Sequence, residues 1–538
     1  MTMTEQNNLL KDMVQWGLDN LDNKSLESFP NNVEELTKLT SLELVGNFEN
    51  IPNSIGCLAN LTELQIISDK IVEIPESISS LINLKKLDIN NKYSGTLDNL
   101  PKNIGKLTNL TELKVRGDIR GVKRLPKSFF KLKNLTSLEI SMSFLTDSLE
   151  AISQLSNLTK LTIFSTKLKR LSENIGELTN LTELSICCGN LIEMPESISN
   201  LSNLKKLKIY CNTLTQLPEN IGNLKNLTEL DISTCKLTHL PENICNLSNL
   251  NKLEVYSEII TELPENIGNL KNLTDLDISI YKITKIPESI SNLRNLRKLK
   301  LSCKSLEQLP ESICKLTQLN ELTIFITKLK ELPEWLANLN NLKTLVIDCA
   351  LIKELPAGIF NLNNLNELSI INANFKQLPE TIGNLINLNK LIIECSLINE
   401  VPESIFNLTH LTELSINTST LTQLPDNFSN LSNLNKLEIS CYSLEQLPES
   451  IFNLSHLTEL SVNNSTLTQL PDNFSNLSNL LKLTINCALL KQLPESIGNL
   501  SKLQELTIMG RSITQLPESF SKLKNLEKLD LRWSGIEA

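Results

Sequence analysis

A unit of 23 residues, written again and again, constrains this chain more than any other feature. "LTELDISTCKLTHLPENICNLSN" begins at Leu227, and "LNKLEVYSEIITELPENIGNLKN" begins at Leu250. The pattern LxxLxIxxxxLxxLPExIxNLxN recurs in about 22 units, from near Leu39 to the last residues. A chain of 538 residues would otherwise suggest about three or four domains. Here no single unit can bury its apolar face, so neighbours must stack to do it.

One unit can be read physically. Leu227, Leu230 and Ile232 alternate with polar residues, the period-two signature of a half-buried strand. Leu237 and Leu240 carry the inward set around a bend. Pro241 then ends strand pairing, because it has no N–H to donate. Ile244 and Leu247, three apart, suit one turn of helix or 3-10 helix on the opposite side. The expected fold class is an α/β solenoid: an arc with a parallel concave sheet and short helical or 3-10 turns on its convex side. Residues 26–538 are assigned to that solenoid and residues 1–25 to a helical N-terminal cap, with Leu10, Met13, Val14, Leu18 and Leu21 on one stripe.

The unit resembles the leucine-rich repeat family, and "LPESIGNL" at Leu493–Leu500 resembles its intracellular subclass. That subclass includes plant intracellular Ras-group repeat proteins, an animal Ras-pathway scaffold and many bacterial proteins. The resemblance implies a non-catalytic scaffold or recognition module for protein partners, possible ones being a small GTPase or a phosphatase complex; the alternative is a bacterial effector or host-interaction protein. Family repeats usually place Asn at the ninth position of the unit. Asn47 and Asn212 keep it, but Cys235, Ala350, Ala373, Ser396 and Ser419 do not. A second Asn column, including Asn60, Asn83, Asn109, Asn226 and Asn387, stands just before the first Leu. It is expected to satisfy backbone groups from an inward position. Its many N-x-[ST] matches, glycosylated there, would obstruct stacking, which argues against eukaryotic secretion.

Other functions find little support. The net charge of -10 disfavours nucleic acid and anionic membranes as partners. No apolar run is long enough to span a bilayer, and the N-terminus lacks the basic start and apolar core of a signal peptide. The expected location is cytoplasmic, with export by a signal-peptide-independent route as the alternative. The three histidines, His239, His410 and His456, match no catalytic motif, and no cofactor or metal site is expected. Cys188 and Cys211 occupy equivalent places in adjacent units and are read either as a pair that could bond or as small packed thiols.

Candidate binding residues fall into two groups. Between Leu84 and Ala151 the units are irregular, and Arg116, Arg120, Lys123, Arg124 and Lys127 make one insertion basic. It is either a tolerated surface loop or a site for an acidic partner. Elsewhere, strand positions expected to face outward carry apolar residues: Phe164, Tyr210, Tyr256, Phe325 and Ile371 at the seventh position, Val346 and Ile392 at the fifth, and Ile326 at the eighth. These are either scattered surface hydrophobes or an interface for a protein partner. The third position alternates in sign, as in Glu413, Lys436, Glu459 and Lys482, and breaks at Thr344. Alternation predicts a ladder of ion pairs that removes like-charge repulsion between stacked units. The last unit shows no C-terminal cap, so its edge is expected to be exposed or to self-associate.

Overall fold

The computed structural model describes residues 3–91, 97, 99–117, 124–141 and 149–536. It holds twenty-two strands and twenty 3-10 turns among those residues, alternating along the chain except where the short α-helix Leu149–Ser153 stands in place of a 3-10 turn. The chain divides into two compact units, Met1–Leu273 and Thr274–Ala538. In the first, strands from Ser41–Gly46 to Lys252–Ser257 pair in parallel, each with the next. In the second, the same holds from Asp275–Ile280 to Lys528–Asp530. Within each unit the register is one repeat per strand, so each column of the sequence pattern becomes a row of stacked side chains.

The inner columns behave as the pattern dictates. Leu227, Leu230, Ile232, Leu237, Leu240, Ile244 and Leu247 are all buried. Pro218 sits at the N-cap of the turn Glu219–Asn223, and its carbonyl accepts the Ile221 N–H at 3.1 Å. The strand has already ended at Tyr210, so Pro does not end strand pairing as expected; lacking an N–H, it opens the turn. The following Glu reaches forward to the next repeat. The Glu196 carboxylate accepts the N–H groups of Glu219 and Asn220 at 3.0 and 3.2 Å, and Glu495 does the same for Glu518 and Ser519. Donation from the Ser519 N–H holds the Glu495 carboxyl below its ordinary range. The Gly of "IGN" is required by close approach: a Cβ on Gly222 would stand 2.0 Å from the Asn243 carbonyl oxygen.

The Asn column does supply backbone partners, but from the surface. Asn226 Nδ2 donates to the Ser202 carbonyl at 2.8 Å and Asn387 Nδ2 to that of Asn363 at 2.8 Å; both side chains are exposed. Where His410 replaces Asn, its Nδ1 lies 3.0 Å from the Ile386 carbonyl oxygen. The expectation of an inward Asn is therefore corrected, and with it the steric argument against glycosylation.

The missing interior ladder lies one residue earlier than the ninth position. Ser68, Asn91, Thr234, Ser257, Thr418 and Asn464 are buried and donate to main-chain carbonyls of the preceding repeat. Thr418 Oγ1 reaches Ile398 O at 2.6 Å and Asn464 Nδ2 reaches Leu444 O at 3.0 Å. Cysteines fill the same column between them: Cys349 and Cys395 direct their thiols at Ile324 O and Ile370 O, at 3.7 and 3.5 Å. Burial pushes the Cys349 thiol up to about 12, so it stays protonated and serves as a small weak donor. Cys188 and Cys211 are free and buried.

The N-terminal helix spans Met3–Asn20. Leu10, Met13, Val14 and Leu21 are buried, whereas Leu18 is exposed and leaves the stripe. Trp16 packs edge-on against Phe48, ring centres 5.0 Å apart. Leu21 forms an antiparallel bridge with Gly46, and Asp22 N–H donates to Val45 O at 2.8 Å. The chain thus engages the first strand, Ser41–Gly46, on the side away from its repeat neighbour. Among the described residues, no helix is long and apolar enough to cross a membrane.

Candidate protein-binding surface

On the sheet face, the third, fifth and seventh positions point outward. The third position carries the alternating charges, and the expected ion pairs form. Lys206 reaches Glu229 at 2.8 Å, and Lys298 reaches Glu321 at 2.8 Å. Glu413 takes both neighbours, Lys390 and Lys436, at 2.9 Å each. Exposed pairs of this kind contribute about 0–1 kcal/mol apiece, so the column is a stacking device.

In the first unit, the seventh-position column runs Phe164, Cys187, Tyr210, Ser233, Tyr256 across directly paired strands. Phe164 and Tyr210 are 36% and 39% exposed. Their polar surroundings are already engaged. Tyr210 Oη donates to Asp231, and Tyr256 Oη lies 3.2 Å from Glu258 Oε1. Burial raises the Asp231 carboxyl above its ordinary range, against the opposing Tyr210 hydrogen bond.

The basic insertion divides in the same way. Arg116 is committed within the protein, to Glu139 at 2.8 Å and to Asp88 at 3.7 Å, so it is not a cation offered to a partner. Arg124 and Lys127 are exposed, and Arg124 bridges to Asn99. Arg120 and Lys123 lie outside the described residues.

In the second unit, four successive paired strands carry Phe325, Val346, Ile371 and Ile392. All four are half-buried and face outward. They stagger between columns: Phe325 and Ile371 at the seventh position, Val346 and Ile392 at the fifth. Ile326 does not join them. It is fully buried, because alternation continues one residue past Phe325 and turns the eighth side chain into the core. Two residues that sequence reasoning missed extend the apolar run beyond the strand ends: Leu351 and Leu397, 43% and 41% exposed. Their signal was available, since the same column holds polar Lys328, Asn374 and Thr420 in the preceding, intervening and following repeats.

The backbone is also unusual here. Asn372 has φ 55°, a left-handed conformation that Asn tolerates better than most residues. Its side chain is exposed and donates to Asp348 at 2.9 Å, while Ala373 takes the interior place. The interior ladder is thereby interrupted beneath Ile371, where the charge column is also broken at Thr344.

A family model described as a leucine-rich repeat region matches residues 77–213, 194–325, 287–376, 367–444, 404–489 and 434–537. The chain belongs to the leucine-rich repeat family. No curated protein sequence matches it. Among solved structures, a leucine-rich repeat protein of Leptospira interrogans is 28% identical with a TM-score of 0.56, over 82% of this chain and 100% of that one. The Arabidopsis receptor kinase HAESA ectodomain, solved with a peptide hormone, is 20% identical with a TM-score of 0.50, over 95% and 84%. TLR13 in a complex with ssRNA13 is 21% identical with a TM-score of 0.58, over 96% and 83%. The last two show the fold alone. Leucine-rich repeat regions are typical protein–protein interaction modules and are generally non-catalytic. Among the described residues, no group of His, Cys, Asp or Glu could hold a metal ion.

Proposed function

We propose that this leucine-rich repeat protein is a non-catalytic scaffold that holds a protein partner on the sheet face formed by Glu321–Ile326, Thr344–Asp348, Glu367–Ile371 and Lys390–Glu394. The observation that carries the reading is the staggered apolar set Phe325, Val346, Ile371 and Ile392 on paired strands. An outward apolar patch rimmed by polar groups is the usual mark of an interface. The first unit supports the choice by contrast, because the polar groups around its aromatic column are internally paired. The twelve cysteines, all free, fit a reducing compartment and a cytoplasmic role.

The test is affinity capture from native lysate with the full chain and with a Phe325→Thr, Val346→Thr, Ile371→Thr variant. Thr keeps strand propensity while removing apolar contact. The variant is expected to melt within a few degrees of the parent, about the shift that 1 kcal/mol causes. Its yield of the principal partner should fall at least about tenfold, the equivalent of about 1.4 kcal/mol. A folded variant with undiminished capture would refute the assignment.

A further inference from the structure

The apolar face of the second unit is interrupted by three carboxylates whose charges the protein leaves unmatched. Asp348 stands directly between Phe325 and Ile371 in the seventh-position column, and Glu394 stands directly beyond Ile371. Glu367 begins the Ile371 strand, with Thr344 on one side and Lys390 on the other. At other places on this unit's face the column forms ion pairs, as between Lys298 and Glu321. Here it does not. Thr344 is neutral, and the Lys390 ammonium is drawn to Glu413 at 2.9 Å. Asp348 receives an amide hydrogen bond from Asn372, which satisfies an oxygen but leaves the charge. Among the described residues, no ion pair joins Asp348, Glu367 or Glu394 to a cation.

We propose that the occupant of this face is a cationic polypeptide segment, with Lys or Arg interspersed among Leu, Ile, Val or Phe. This rests on the reading that the face is a docking surface. A partner that covered Val346 and Ile371 would also cover Asp348 and draw Glu367 and Glu394 out of water. A neutral apolar segment would leave those charges desolvated and unpaired, which is costly. An acidic segment, a nucleic acid or an anionic lipid surface would be repelled. A segment with cations between its apolar side chains meets both demands. Equivalent residues two strands apart are separated by about 10 Å, so Phe325 with Ile371, and Val346 with Ile392, offer two apolar rows; Asp348 and Glu394 are set into the first, Ser369 lies in the second, and Glu367 flanks them at the third position.

The experiment uses the full chain and four synthetic peptides of about 14 residues, four helical turns: Leu/Lys, Leu/Glu, Leu/Gln and Ser/Lys in one shared pattern. Affinities are measured by fluorescence anisotropy in about 0.1 M salt, where exposed charges further apart than about 10 Å are screened. The Leu/Lys peptide should bind at least about tenfold tighter than each of the others. An Asp348→Asn, Glu367→Gln, Glu394→Gln variant should lose at least about tenfold of that affinity. A Glu438→Gln, Glu445→Gln, Glu459→Gln variant, with the same change in net charge, should lose less than about twofold. Equal losses in the two variants, a preference for Leu/Glu or Leu/Gln, or no binding at all would overturn the proposal. If Leu/Gln binds best and only the Phe325→Thr, Val346→Thr, Ile371→Thr variant abolishes it, the docking face stands and its cationic occupant does not.

Discussion

Phe452→Ala is expected to cost the protein about 3–5 kcal/mol, the range for emptying a fully buried aromatic site. Phe452 has no exposed surface and packs against Phe474 of the next repeat, ring centres 4.8 Å apart. Phe406 and Phe428 repeat the arrangement two units earlier, at 5.1 Å. In "ESIFN" the Phe occupies the place that Gly holds in "ESIGN". After Phe406 and Phe452 the next turn carries Phe where most turns carry Ile. The following unit reads "PDNFSN", and its 3-10 turn shortens to Phe474–Asn476. The two substitutions belong together, so the structural unit in this stretch is a pair of repeats. Denaturant unfolding of Phe452→Ala, Phe474→Ala and the double variant should show coupling of about 0.5–1.5 kcal/mol. Phe130→Ala, at an exposed position, should change stability by no more than about 0.5 kcal/mol.

Glu413→Lys is expected to lower stability by about 1–2 kcal/mol in low salt, and by less as salt is added. It removes two ion pairs and stacks three ammonium groups about 5 Å apart. The direction of the Glu413 pKa agrees with the sign of the effect. Burial alone would raise it, but hydrogen bonds from Lys436 and Lys390 outweigh burial and hold it below the ordinary value. A carboxyl depressed on folding contributes stability that is present above its unfolded pKa. That contribution is lost as pH falls through the folded value. Melting temperatures of the parent and a Glu413→Gln variant should therefore converge on acidification. Curves that stay parallel to below the carboxylate range would refute the ladder.

Much of the fold was legible because the inner columns admit little choice. The Leu and Ile columns carry side chains whose size suits the core, and Pro opens most of the turns. The third-position charges were equally legible, since their alternation has meaning only if they stack. The eighth and ninth positions were not. Ser, Thr, Asn and Cys occur in both, and polarity alone does not say which column faces the core. That misplaced the interior ladder and promoted Ile326 to the surface. The Asn column was read as inward because its role was right, although a surface amide can reach a neighbouring carbonyl equally well. Arg116 looked available because its partners, Asp88 and Glu139, lie on neighbouring strands far along the sequence. Leu351 and Leu397 were passed over because they follow the strands instead of lying in them. The site proposed here comprises Phe325, Val346, Ile371 and Ile392, together with Leu351 and Leu397.

Covalent carbene footprinting of the full chain, alone and in complexes captured from native lysate, tests the central claim most directly. Labelling at Phe325, Val346, Ile371, Ile392, Leu351 and Leu397 should fall in the complex, while Phe164 and Tyr210, outward on the sheet face of the first unit, keep their labelling. Protection confined to the 3-10 turns, with the four strand residues labelled as in the free protein, would contradict it.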